Sequence, residues 1–333
     1  MIMKKLFFSL VALVIATVSY AQSTLVATLT HGDEIKMFYG VKALQQAHAA
    51  AVDGDIINLS GGKFEMGEGY SNYITKGITI RGTGVNSSNH TTISTILYIQ
   101  IPESTKERLS VEGCIFEGEI RSYGFPNGYF LKNHFRNTFK QVYSSKNAMF
   151  VNCSLSGYTP NGCSSQFINS YVYDYVDQGS GSQAKFVNCV MDSYSAHNYI
   201  KNSELINCII VYSRDTTTGL PASNTAWNCV ACGSINGTDI REMSYSIFNK
   251  LAFKQNCSLA GKDIFIDSNH ENDLTDEAKA TYLGNDGTPV GRYGGPFPFS
   301  WTPTYPQITK MNVANKTTAD GKLSVEIEVS ATE

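Results

Sequence analysis

A short arrangement of apolar and polar positions recurs through the middle of the chain. Each copy places one or two apolar residues before an asparagine, usually followed by cysteine or serine, as in Phe150–Cys153 (FVNC) and Phe186–Cys189 (FVNC). The copies recur at intervals of roughly 20 residues between Val111 and Val230, a period typical of solenoids. The pattern therefore predicts a rod of stacked coils in which equivalent residues of successive coils lie above one another.

The aligned asparagines predict a bend that is repeated in every coil. The alignment places six of them at the bend: Asn133, Asn152, Asn169, Asn188, Asn207 and Asn228. Asparagine tolerates the left-handed backbone conformation better than most residues, so we expect it to shape the bend and stabilise the fold. In the same frame Phe150, Phe167 and Phe186 form an apolar column of the core, and His134 falls where other copies have cysteine.

Eight cysteines leave two interpretations open. A stack of buried free thiols would fit a narrow corner of the rod, and five cysteines share the repeat position after the bend: Cys114, Cys153, Cys189, Cys208 and Cys229. Disulfide bridges are the alternative in an exported protein, and Cys163, Cys232 and Cys257, which lie outside that position, are the better candidates for them. We favour the stack of free thiols.

The first 21 residues have the features of a secretory signal peptide. Lys4 and Lys5 precede the short apolar run Leu6–Val18, and small residues end at Ala21 before Gln22. The run is too short for a membrane-spanning helix, so we expect a mature chain that begins at Gln22 and has no transmembrane segment. This predicts export to the periplasm, the cell surface or the medium.

Elements of a different kind flank the repeat region. Val41–Val52 is rich in alanine and predicts a helix that covers the open N-terminal end of the rod. Gln307–Val313 and Leu323–Val329 alternate apolar and polar residues, which predicts a C-terminal β-hairpin. Residues 22–300 are thus expected to form one β-helix with its cap, and residues 301–333 a linker and the hairpin.

Composition and charge restrict the partners. The 333-residue chain has a formal net charge of −3, 17% charged residues and 42% hydrophobic residues. Such a chain can bury a large core, and it has neither the basic excess nor the Lys/Arg stripe that nucleic-acid binding requires. We therefore expect an ordered monomer that does not bind nucleic acid.

Four motifs near the N-terminus carry a resemblance to a known family. They are Ala43–Ala47 (ALQQA), Asp53–Leu59 (DGDIINL), Gly61–Phe64 (GGKF) and Gly77–Gly84 (GITIRGTG). Together with the asparagine repeats, they resemble the cap and coils of the pectate lyase-like superfamily over roughly residues 24–300. The resemblance implies an all-β chain folded as a single-stranded right-handed parallel β-helix. It also implies a polysaccharide or other glycan as the partner, because many members act on acidic polysaccharides.

The catalytic signatures of that superfamily are missing from the chain. It contains no Asp-Asp pair, no Gly-His-Gly, no Arg-Ile-Lys and no Arg-x-Pro-x-x-Arg. We therefore expect an exported protein that interacts with carbohydrate at the cell envelope or surface by binding, in an adhesin-like manner. The alternative is a polysaccharide lyase or glycoside hydrolase that acts on an acidic polysaccharide through a site without those signatures.

Aromatic residues that recur six positions after the bend are the candidates for carbohydrate binding. Tyr158, Tyr175 and Tyr194 fall in equivalent places, and Phe139 precedes them in the same frame. If these side chains point outward, they form an aromatic ladder, and tyrosine rings offer sugars an apolar face together with a hydroxyl. The alternative is a stack that only closes one side of the rod.

Charged residues near this frame are the candidates for catalysis. A lyase needs a base and a hydrolase needs paired carboxylates, so Lys201 and Arg214 could serve the first reaction and Asp174 and Asp192 the second. Asp174, Asp177 and Asp192 could bind Ca²⁺, although no dense aspartate loop indicates a metal site. Ordinary solvated surface charges are the alternative for all of these residues.

Overall fold

The chain folds into a parallel β-solenoid, which confirms the predicted all-β class and the stacked coils. Three sheets run along the rod, and the chain passes from one to the next as it winds. The computed structural model describes residues 25–67, 73–86, 88–124, 127–141, 146–175, 181–193, 200, 202–212, 224–235, 237–242, 253–266, 273–313, 321–322 and 325–330.

The first sheet is the longest of the three. Its strands, in spatial order, are Glu34–Tyr39, Val26–His31, Ile56–Leu59, Thr79–Arg81, Ser110–Glu112, Tyr129–Leu131, Ala148–Val151, Ser164–Ile168, Gln183–Val187, Glu204–Ile206, Thr225–Trp227 and Phe253–Gln255. Pairing is antiparallel among the first three and parallel from Ile56–Leu59 onward. The two strands at the N-terminal edge therefore close the end of the sheet, and the parallel strands belong to the coils.

The second sheet follows the bend after each strand of the first. Its strands are Gly62–Phe64, Thr91–Ile93, Cys114–Phe116, His134–Phe135, Ser154–Leu155, Tyr171–Val172, Val190–Ser193, Ile209–Tyr212, Val230–Ile235, Thr238–Asp239 and Ser258–Ala260. All pairs are parallel except the short return of Thr238–Asp239 onto Val230–Ile235.

The third sheet is the shortest and lies in the N-terminal half of the rod. Its parallel strands are Tyr73–Ile74, Leu97–Ile99, Ile120–Ser122, Phe139–Gln141 and Tyr158–Thr159. An isolated parallel bridge between Tyr158 and Tyr175 extends the same face by one coil.

A short helix covers the N-terminal end, as the sequence predicts. The cap helix spans Ala43–Ala50 and buries Ala43, Leu44, Ala47 and His48 against the interior. A parallel rod that ends without a cap leaves apolar side chains and unpaired backbone groups open to solvent. The cap helix and the antiparallel strands together remove that exposure.

The interior is a column of stacked aromatic rings. Phe130, Phe150, Phe167 and Phe186 lie above one another with ring centroids 4.9 to 5.0 Å apart. All four side chains are buried, which confirms the predicted core column. The spacing is that of neighbouring β-strands, so the column follows directly from the coil repeat.

The bend between the first and second sheets, here called the asparagine corner, has the predicted backbone conformation. Six asparagines adopt left-handed φ angles between 47° and 54°: Asn152, Asn169, Asn188, Asn207, Asn228 and Asn256. Asparagine accepts this conformation at little cost, whereas a side chain such as leucine would be strained.

One coil departs from the predicted alignment. Leu131 pairs with Val151, so Lys132 (φ 55°) occupies the bend and Asn133 takes the inner position that cysteine fills elsewhere. Asn133 is fully buried; its Oδ1 accepts from the amide of Cys114 at 2.9 Å. The placement of Asn133 and His134 in the repeat was therefore wrong by one residue, and His134 lies in the second sheet.

None of the eight cysteines forms a disulfide, so the bridges considered for Cys163, Cys232 and Cys257 are absent. Cys257 also follows a corner asparagine and therefore belongs to the same column as Cys153 and its equivalents. Burial raises the pKa of the Cys114 and Cys153 thiols to about 12. The column therefore consists of neutral thiols that pack as small apolar groups.

Residues 283–305, here called the closing segment, run back along the asparagine corner from the last coils toward the first. Near its start, Asn285 exchanges hydrogen bonds with Asn207 at 2.9 and 3.1 Å. In its middle, Asn169 donates to the carbonyls of Arg292 and Gly294 at 2.9 and 2.6 Å. A Cβ on Gly295 (φ 74°) would lie only 1.9 Å from Asn188 Nδ2, so glycine is required for this close approach.

The end of the closing segment reaches the first coils. Lys132 Nζ donates to the carbonyl of Thr302, Thr304 donates to Glu112 Oε1 at 2.6 Å, and the Tyr305 hydroxyl donates to the carbonyl of Gly82. A helix at Asp276–Thr281, capped by Thr275, precedes the segment and packs on the second sheet with Val290.

The predicted C-terminal hairpin is present as Gln307–Val313 paired antiparallel with Val325–Ser330. The described side chains of its second strand, from Glu326 to Val329, are all exposed. Within the described residues, no helix is long and apolar enough to cross a membrane.

Candidate functional site

The predicted outward ladder points inward. Tyr158 is fully buried and Tyr175 is 3% exposed, and both rings pack edge-on against the phenylalanine column. Their row in the third sheet continues through Phe139, Ile120 and Leu97, all of them core residues. The prediction of an outward face was therefore wrong for Tyr158 and Tyr175, and Tyr194 lies outside the described residues.

Of the two catalytic candidates that the structure describes, Asp192 does not lie on an open face. Asp192 is 5% exposed and accepts from the Tyr171 hydroxyl at 3.2 Å, while Asp174 is half-buried. Lys201 and Arg214 lie outside the described residues.

Asp192 belongs to a buried polar cluster beneath the closing segment. Burial, and next the charge of Asp192, raise the pKa of Tyr171 well above its usual value. Arg292, itself 4% exposed, lies with its Cζ 5.9 Å from the centre of the Tyr171 ring and 4.2 Å from that of Phe299. Asp192 is therefore a buried carboxylate bonded to Tyr171 and not a solvated group on an open surface.

The outward row of the third sheet begins with two tyrosines. Tyr73 pairs with Tyr98, and Tyr98 pairs with Arg121, whereas the residues beside them, Ile74 and Ile99, point into the core. Because side chains alternate between the two faces of a strand, this row lies one residue away from the buried row of Leu97. Both tyrosine side chains are half-buried, so each leaves part of its ring open to solvent.

Three tyrosines form a surface stack, here called the tyrosine ladder: Tyr73, Tyr98 and Tyr123. The ring centroids of Tyr73 and Tyr98 are 4.9 Å apart at 17°, and those of Tyr98 and Tyr123 are 6.0 Å apart at 26°. Arg121 places its Cζ 5.9 Å from the centre of the Tyr98 ring. The ring centroids of Tyr73 and Tyr123 are 6.3 Å apart, so the tyrosine ladder is a compact cluster of rings from three successive coils.

Paired charges border the ladder. Glu119 contacts Arg121 Nε and accepts from Lys140 Nζ at 2.7 Å. Burial opposes ionisation of Glu119, but the hydrogen bonds from Lys140 and Arg121 outweigh it and lower the pKa of the carboxyl. The hydrogen bond to Glu119 likewise raises the pKa of Arg121. Glu119 and Arg121 are therefore charged at neutral pH, and the group combines two basic side chains with one carboxylate.

A second charged group continues this border at the bend between the second and third sheets. Glu117 accepts from Lys63 Nζ at 2.8 Å and lies 3.6 Å from Arg136 Nη1. This second group likewise contains two basic side chains and one carboxylate. The region beside the tyrosine ladder is therefore positive in a protein whose overall charge is −3.

The described residues contain no cluster of side chains that could bind a metal ion. No group of three or more His, Cys, Asp or Glu side chains among them lies close enough to hold a metal ion. Of the residues considered for Ca²⁺, Asp192 is buried and accepts from Tyr171, Asp174 is half-buried, and Asp177 lies outside the described residues.

Comparison with known proteins leaves the family open. No family model matches the chain, and no curated protein and no solved structure does so either. The class that the fold defines is therefore the parallel β-solenoid.

The frame used to search the sequence explains why the tyrosine ladder was missed. Tyr73, Tyr98 and Tyr123 are equally spaced in sequence, but only Tyr73 and Tyr98 are equivalent in register, because Tyr98 pairs with Arg121. They precede most of the asparagine repeats, however, and the first coils are longer than the later ones. The equal spacing singles out the three tyrosines in the sequence, but it does not give their register in the sheet.

Proposed function

We propose that this protein is an exported parallel β-helix of the pectate lyase-like type that binds carbohydrate through the tyrosine ladder. The observation that carries the proposal is the cluster of three half-buried tyrosines on the outward face of the third sheet and its end, with Arg121 beside Tyr98. A rigid sheet fixes the rings, so little conformational entropy is lost when a sugar chain lies across them.

The charge beside the ladder favours an acidic glycan. Arg121 and Lys140 share one carboxylate, and both retain exposed surface. A uronate or sulfate group that approaches the ladder meets cations that are already positioned, which raises the association rate and orients the chain. Binding should therefore weaken as the salt concentration rises.

Binding to a panel of acidic polysaccharides tests the proposal. We expect Tyr98→Ala to weaken binding about tenfold, equivalent to about 1.4 kcal/mol. Tyr129→Ala is the matched control, because Tyr129 is also a half-buried outward tyrosine with an arginine, Arg108, over its ring. Equal binding by wild type and Tyr98→Ala, or equal losses in both variants, would contradict the proposed site.

The same assay separates binding from chemistry. A lyase would produce the ultraviolet absorbance of unsaturated uronates, and a hydrolase would produce new reducing ends without it. We expect neither signal with the intact protein. Sequencing the N-terminus of the exported protein tests the predicted cleavage before Gln22, and a chain that retains Met1 would contradict export through a cleaved signal.

A further inference from the structure

A groove lies on the first sheet, at the C-terminal end of the rod. Its floor is formed by Ile206 and Trp227, and one wall by Leu283, Gly284 and Asn285 of the closing segment. Its volume is about 700 Å³, within the range of ligand-binding clefts. It shares no residue with the tyrosine ladder, which lies on the third sheet.

The groove exists because the closing segment begins there. Further along the rod, Asn169 and Asn207 of the asparagine corner bond to the closing segment. Asn228 and Asn256, which lie beyond its start, line the groove instead. The asparagine corner thus bonds to the closing segment in the middle of the rod. At the C-terminal end of the rod, its amides line the groove and can donate and accept hydrogen bonds.

The wall of the groove is fixed in place. Asn285 is held by the two hydrogen bonds with Asn207, and Gly284 donates to the carbonyl of Thr288 at 2.7 Å. A Cβ on Gly284 would lie 2.6 Å from Asn207 Cγ, so only glycine allows this approach. A preformed wall limits the entropy that a ligand loses when it binds.

The side chains select the chemical class of ligand. The half-buried Trp227 offers an apolar ring face, and Asn228, Gln255 and Asn256 surround it with amides. This combination suits a sugar, which has an apolar ring face and hydroxyls at its edge. Glu204 is the charged group of the groove, and it accepts from Lys185 Nζ at 2.9 Å, so an anionic glycan gains no free cation there.

We propose that the groove around Trp227 is a second carbohydrate site that binds a neutral glycan chain. A polar groove continues from it along the first sheet through Glu204 to Lys185, Gln183 and Ser164. Neighbouring strands lie about 4.8 Å apart, so several strands give a chain of a few sugar units room to lie across the sheet. The protein then contacts two glycans of different charge from two faces.

Tryptophan fluorescence tests this site directly, because the chain has only two tryptophans, Trp227 and Trp301. In a Trp301→Phe variant, Trp227 is the single reporter. We expect neutral glucan, mannan or xylan fragments to change its emission saturably, and polygalacturonate to leave it unchanged. No saturable change with any of the neutral fragments, or a change with polygalacturonate alone, would overturn the proposal.

Affinity measurements with variants separate this site from the tyrosine ladder. We expect Trp227→Ala to weaken neutral-glycan binding about tenfold or more, as removal of an aromatic anchor does. Gln255→Ala, at an exposed position on the rim of the groove, should weaken neutral-glycan binding a few-fold. This variant tests the site if Trp227→Ala does not fold. Tyr98→Ala should leave neutral binding within about twofold of wild type, and a large loss in that variant would overturn the assignment of a separate site.

Discussion

At the scale of single residues, the fold depends on side chains that tolerate unusual positions. The corner asparagines adopt left-handed backbone conformations. His48 lies on the buried face of the cap helix, and its Nε2 accepts from the amide of Thr75 at 3.2 Å. Even a conservative substitution at one of these positions is therefore expected to destabilise the fold.

Asn188 tests the conformational requirement. We expect Asn188→Leu to lower the free energy of unfolding by about 1–2 kcal/mol, because leucine is strained at φ 50°. Asn188→Gly is the control, since glycine adopts the same backbone without strain. Thermal melting of both variants measures the effect, and equal melting temperatures for Asn188→Leu and wild type would contradict a conformational role.

His48 predicts a pH dependence of stability. Burial, and then the charge of Lys76, lower its pKa from 6.5 to about 4. The neutral ring is therefore favoured in the folded state, so its contribution is complete above pH 6.5 and is lost as the pH falls toward 4. The loss is roughly 3 kcal/mol at most. Between pH 7 and pH 4 the melting temperature should fall less steeply for His48→Gln than for wild type. An equal fall in both proteins would contradict the role of His48 in the pH dependence.

At the scale of elements, the sheets and the core could be predicted from the repeat. The direction in which individual side chains point, inward or outward, could not. Phe150, Phe167 and Phe186 were placed correctly because they precede a bend that the sequence marks with asparagine. Tyr158 and Tyr175 lie after a turn of variable length, where a shift of one residue reverses the face. The same uncertainty displaced Asn133, because Lys132 occupies the bend without a sequence signal.

The cysteine column gives the element-scale prediction. A thiol assay on denatured, unreduced protein should detect close to eight free thiols. In the native protein the buried members should react slowly, because burial raises the pKa of thiols such as Cys153 to about 12 and only the thiolate is reactive. A count near zero after denaturation would show that bridges form.

At the scale of the whole molecule, the closing segment joins coils that are distant in sequence. It contacts Asn207 near one end of the rod and Gly82 near the other. The sequence predicted a linker only from residue 301 and assigned the earlier part of this segment to the β-helix. Its path could not be predicted, because nothing in a Gly- and Pro-rich stretch specifies which surface it covers. Both the groove at Trp227 and the burial of Asp192 follow from that path.

Truncation separates the closing segment from the hairpin. Removal of residues 307–333 should leave the melting temperature nearly unchanged, since the described side chains from Glu326 to Val329 are exposed. Removal of residues 301–333 should lower it by several degrees, because the contacts of Thr302, Thr304 and Tyr305 are lost as well. Equal stability of the two truncated proteins would contradict a stabilising role for the end of the closing segment.

The most direct test of the carbohydrate-binding site compares two tyrosines of the same sheet that face opposite ways. Tyr98→Ala should weaken binding of acidic polysaccharide about tenfold with little change in melting temperature. Tyr158→Ala removes a fully buried ring, so it should cost about 3–5 kcal/mol of stability and leave the affinity of the folded protein unchanged. If Tyr98→Ala binds as well as wild type, the tyrosine ladder is not the binding surface.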